Sequence, residues 1–154
     1  MTSIDDLKRR QAEMTEVIAA LRGLLKSEHL RVAPIARVAH TLLCDLRAML
    51  REHLEEEEMR LHPDLLSRSL HGLKNLARCS LAGDVRLREQ FDAYARRWLK
   101  DCEFVFEDDF ILETTEILDT LARRVDRERT IMMPWLEASG VFARGGAPIE
   151  SVAA

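Results

Sequence analysis

Two stretches of this chain, HLEEEEMRLHPDL at 53–65 and RVDRERTIMMPWL at 124–136, superpose without a gap. Glu57 falls on Glu128, Leu61 on Met132, Pro63 on Pro134 and Leu65 on Leu136. Each segment begins ten residues before its proline. This is an internal repeat of a helix end. A chain that builds the same helix end twice is expected to set two matching rods in one body, with corresponding positions turned to one interior.

The rest of the sequence agrees with rods. Leu, Ala, Arg and Glu dominate, while six Gly, four Pro and few aromatics leave strand signals thin. At 154 residues and 47% apolar composition, the chain has the size of one domain, able to bury roughly two-thirds of its unfolded surface. The first helix is predicted from Asp5 to Lys26, with Ser3 as its cap and Met14, Val17, Ile18, Leu21, Leu24 and Leu25 on one face. After the turn SEHLRVAP, a second helix opens at Pro34 and runs to His62, where Pro63 closes it. At 1.5 Å per residue that helix is on the order of 40 Å long. A third helical region spans Leu65 to Lys100, with CSLAGDV as an irregular turn inside it. The fourth starts at Asp108 and ends at Met133, before Pro134. The expected architecture is an all-α antiparallel four-helix bundle over residues 1–140, with 141–154 as a flexible tail.

Charge and motifs exclude several classes. The net charge of −4, from 23 basic and 27 acidic residues, is mixed along the chain. No basic stripe interleaves with aromatics, so no nucleic-acid partner is expected. No apolar stretch has the length of a membrane span, and the N-terminus lacks an apolar signal region. A cytoplasmic protein is therefore expected. Cys44, Cys79 and Cys102 have no metal-knuckle or redox-pair spacing, and each is expected to be a small buried hydrophobe. No nucleophilic triad or glycine-rich phosphate loop is present, so no enzyme activity is expected. LHGLKNLA at 70–77 has part of a phosphotransfer-histidine pattern around His71, but Asn75 stands where a glycine belongs.

The acidic run after His53 divides in two when placed on a helix. The apolar stripe of the second helix passes through Leu42, Leu46, Met49 and Leu50, then reaches His53, Glu57 and Leu61. His53 and Glu57, one turn apart, can both reach one metal ion. Glu55, Glu56 and Glu58 fall off that line and are expected in solvent. On the fourth helix the stripe reads Ile117, Leu121, Arg124, Glu128, Ile131, Trp135.

With this repeat, the sequence resembles the haemerythrin-like (HHE cation-binding) family over about residues 7 to 137. FDAYARRWLKDCEF and DDFILETTEILDTLARRVDRE are similar to the third helix and fourth-helix entry of a bacterial branch. The resemblance implies a bundle in which histidines from four helices and two glutamates hold a non-haem di-iron centre, used to bind or sense O2, NO or peroxide or to handle iron. Carried over by residue, the set is incomplete. His53, Glu57 and Glu128 match, while Gln11 and Arg124 stand at histidine positions. The third helix offers no histidine after Gly83, with Gln90 and Tyr94 as its nearest polar groups. His29, His40, His62 and His71 are expected at the surface or in packing roles.

Two expectations follow. In the first, the site is degenerate, no intact di-iron centre forms, and the protein is a non-catalytic binding or regulatory one, with a protein partner left open. Arg124 then bridges Glu57 and Glu128 where a metal would sit, because buried charges must compensate one another. In the second, His53, Glu57 and Glu128 hold a single Fe or Zn ion with open positions, and the protein senses O2, NO or redox state.

Overall fold

The computed structural model describes residues 4–26, 33–67, 71–100 and 108–139. Four helical rods account for them. The first is α1 (Ile4–Leu25), which begins with Asp5 and Asp6 against its positive end. The second is α2 (Ala33–Glu56) followed by α3 (His62–Ser67), the third is α4 (His71–Trp98), and the fourth is α5 (Asp108–Arg127) followed by α6 (Met133–Ser139). Ion pairs show that the rods alternate in direction. Lys8 meets Glu137 while Arg22 meets Asp119, and Arg47 meets Asp92 while Arg88 meets Glu58. The antiparallel four-helix bundle is the observed fold. Among the described residues no helix is long and apolar enough to cross a membrane.

Neither internal proline ends its rod. Between α2 and α3 the backbone widens into a π-helical turn, Glu57–Leu61, in which the His62 N–H bonds the Glu57 carbonyl. Between α5 and α6 the same turn recurs at Glu128–Met132, with the Met133 N–H on the Glu128 carbonyl. A proline ring collides with the carbonyl four residues before it in a regular helix. Those residues, Met59 and Thr130, lie within the widened turns, and Pro63 and Pro134 enter the following helices in their first turns. Both rods thus run past the expected stops at His62 and Met133 and are helical to Ser67 and Ser139 among the described residues.

The widened turn also corrects the fourth-helix stripe. An inserted residue rotates everything after it, so Met132 and Leu136 are buried while Ile131 and Trp135 are each 47% exposed. The third rod needs a different correction: α4 runs unbroken through 79–85. His71 is the first described residue of this helix. Ser3, His29, Cys102 and the proposed tail lie outside the described residues. Cys44 and Cys79 are exposed. They flank the core positions Leu43 and Ser80 and so point off the stripe.

Two apolar clusters fill the bundle. The larger is centred on Met14, Leu21, Leu46, Phe91, Leu118 and Leu121. The smaller gathers Leu7, Leu61, Leu65, Ala77, Met132 and Leu136. In sequence, each rod changes from one cluster to the other across a short polar interval.

Candidate cation centre

Those four intervals meet. Gln11 comes from α1, His53, Glu57 and His62 from the second rod, Ser80 and Asp84 from α4, and Arg124 and Glu128 from the fourth rod. All except Arg124 are buried, and the Arg124 side chain is 14% exposed. Each replaces an apolar residue at a core-facing step of three or four. Local periodicity therefore carries it inside, and the polar layer must satisfy itself there.

His53 is at the centre of one half. Its Nε2 lies 2.9 Å from Glu128 Oε2 and 3.1 Å from Glu128 Oε1, and 3.0 Å from Glu57 Oε1. Gln11 donates to Glu128 Oε2 at 3.3 Å. One imidazole N–H cannot serve three carboxylate oxygens, and Glu57 Oε1 is left with no hydrogen bond although it is buried. The spacing fits a cation. Ligands held at about 2.1 Å and at right angles sit about 3 Å apart. These three residues offer one imidazole and two carboxylates, a set that suits Fe or Zn.

Arg124 organises the other half. Its Nη2 lies 3.2 Å from Glu57 Oε2 and donates to Ser80 Oγ at 2.9 Å and to Asp84 Oδ1. Its Nε is 3.2 Å from Glu128 Oε1, but too poorly aligned to donate a hydrogen bond there. His62 Nε2 completes the layer, 3.0 Å from Ser80 Oγ and 3.6 Å from Asp84 Oδ2. α4 can approach because residue 83 is glycine: a Cβ there would stand 3.2 Å from Arg124 Nη1.

The charges divide by position. Burial opposes a charge on His53, but Glu128 and Glu57 outweigh it and hold its pKa well above the usual histidine value. Burial and then repulsion from Glu128 push Glu57 well above the carboxylate range. Burial opposes ionisation of Glu128 too, yet His53 and Arg124 bring it below that range. The two shifts of the coupled pair run in opposite directions: Glu57 holds a proton more tightly than a free carboxylate and Glu128 less tightly. Burial lowers His62, against the pull of Asp84.

The structure brings together His53, Glu57, Glu128, Arg124 and Gln11, all singled out from sequence. It adds His62, Ser80 and Asp84, which were not. The expected third-helix candidates lie elsewhere: Gln90 is exposed, and Tyr94 is bound to Thr114 at 2.6 Å. The missed signal was available. Stepping back from Phe91 and Leu87 by threes and fours lands on Asp84, Ser80 and Ala77, but reading 79–85 as a break conceals it. His62 was expected at the surface or in a packing role, not in the polar layer. The widened turn before it rotates it inward.

An antiparallel bundle with one buried polar layer fed by all four rods, its histidines from the second rod and its glutamates from the second and fourth, defines a class of helical, cation-type domains. The family model of the hemerythrin HHE cation binding domain matches residues 2–136. The chain belongs to that family. Comparison with curated proteins and with solved structures gave no match.

Proposed function

We propose that this chain is a non-catalytic binding or regulatory haemerythrin-like protein whose cation centre is degenerate. Arg124 supplies one positive charge permanently, and His53, Glu57 and Glu128 offer a place for one metal ion, Fe or Zn. The observation that carries this reading is the placement of Arg124 between Glu57 and Glu128, within 3.2 Å of a carboxylate oxygen of each. A guanidinium cannot be displaced by deprotonation, so it competes with a second ion for the same oxygens. A bound ion would hold the two glutamates together and relieve the unpaired Glu57 Oε1. With only three protein ligands it would keep positions open.

Those positions support a second reading, a mononuclear sensor of O2, NO or redox state. A cavity of about 20 Å³ is lined by Cys79, Ser80, Arg124, Glu128, Ile131 and Met132. That is room for about one water molecule, and exposed Cys79 and Ile131 connect it to solvent. Metal analysis of untagged protein from iron- and zinc-supplemented cells, by inductively coupled plasma mass spectrometry, tests both. At most one ion per chain, lost in Glu128→Ala, supports the degenerate centre. Two irons per chain overturn it. One iron whose absorption spectrum changes on adding NO favours the sensor.

A further inference from the structure

Glu57 serves two groups of buried ligands. Its Oε1 faces His53, while its Oε2 faces His62 Nε2 at 3.9 Å. Glu57, His62 and Asp84 form a second triad whose ligand atoms lie within 4.8 Å of one another. Asp84 is 3% exposed and His62 2%, yet Asp84 Oδ2, 3.6 Å from His62 Nε2, has no hydrogen-bond partner. A cation is already seated against these oxygens: Arg124 Nη2 contacts both Glu57 Oε2 and Asp84 Oδ1.

We propose that Glu57, His62 and Asp84 form a second divalent-cation site, which Arg124 plugs with its own charge and which takes a borderline ion such as Zn2+ when Arg124 is withdrawn. The proposal deepens the reading above by sharing Glu57 with it, but it does not require an ion at His53. The imidazole comes from the end of the second rod and the carboxylate from α4, and neither was carried over by the family resemblance. One nitrogen and two carboxylates suit Zn2+ or Fe2+ better than Ca2+ or Mg2+, which favour all-oxygen shells. Withdrawal here means removal of the guanidinium by substitution, because in the wild-type protein Glu57, Ser80 and Asp84 hold it in the layer.

The test counts zinc per chain in wild type, Arg124→Gln and Arg124→Met, after gel filtration and by competition with a chromophoric chelator. The expected result is one more zinc in both variants than in wild type, lost when His62→Ala or Asp84→Asn is added. Equal zinc in wild type and both variants overturns the second site and leaves the proposed function intact. Adding His53→Ala separates the two the other way. An extra ion that survives this change, in a protein whose wild type binds none, establishes the second site while removing the first. If a variant is unfolded without metal, recovery of helical circular dichroism by zinc, dependent on His62 and Asp84, is the supporting result. No recovery overturns the proposal.

Discussion

The Nη2 of Arg124 lies 3.2 Å from Glu57 Oε2, which places a fixed positive charge from the fourth rod against the first glutamate of the repeat. Glu128, the second glutamate, is one turn from Arg124 and 3.2 Å from its Nε. One side chain thus ties the two copies of the repeated helix end together. It also reaches α4 through Ser80 and Asp84.

Removing that tie should be costly. Arg124→Ala leaves Glu57, Asp84 and Glu128 around a void, and taking one partner from a buried ionic network costs about 3–5 kcal/mol. Chemical denaturation of metal-free protein measures it. Arg124→Lys should fall between the two, because an ammonium cannot span the same acceptors with a planar fork. An Arg124→Ala midpoint equal to that of wild type would show that the network contributes nothing.

Two glycines provide a matched comparison. Replacing a mid-helix glycine by alanine gains roughly 0.5–1 kcal/mol where space allows. A Cβ at Gly23, in the last turn of α1, meets nothing within 4 Å, so Gly23→Ala should show a gain toward the lower end of that range. At Gly83 the new methyl would stand 3.2 Å from Arg124 Nη1. The guanidinium is pinned by three acceptors there, so Gly83→Ala should gain nothing or lose stability. Thermal unfolding of the two variants side by side checks the difference. Equal gains would mean that the guanidinium is free to move.

Metal should stabilise the folded protein through His53. An ion that binds only the native state at a hundred times its dissociation constant adds about 2.7 kcal/mol. Zinc or ferrous iron should therefore raise the unfolding midpoint of wild type, and a chelator should return it. In His53→Ala and Glu128→Ala that increment should vanish. An undiminished shift in both variants would place the ion elsewhere.

Away from the cation layer, Tyr94 and Thr114 share a buried hydrogen bond of 2.6 Å between α4 and α5. Tyr94→Phe strands the Thr114 hydroxyl and should cost about 1–3 kcal/mol, whereas removing both partners is much cheaper. The double variant Tyr94→Phe/Thr114→Val should therefore recover part of the loss. Strict additivity in denaturation experiments would argue that the two hydroxyls act independently.

Much of this was legible before any coordinates. Leu21, Leu46, Leu118 and their neighbours recur at helical spacing, and that spacing alone turns one face of each rod inward. The same arithmetic placed His53, Glu57, Arg124 and Glu128 on interior faces, since a polar residue inside an apolar stripe is carried in by its neighbours. Repetition of the helix end identified the two glutamates as a pair.

What the tertiary structure decided was register and company. A π-helical turn adds one residue to the circuit, so the faces of Ile131, Met132, Trp135 and Leu136 depend on a backbone choice that 3.6-residue periodicity cannot express. The same choice brings His62 inside. Asp84 and Ser80 meet Arg124 across a sequence separation of about forty residues, and a contact of that kind exists only once the rods are packed. Ahead of the two widened turns, the sequence by itself determined which face of each rod had to be buried, because burial there follows local spacing. Which buried charges neutralise one another was decided only by the packing of four rods around them, because the partners come from different helices.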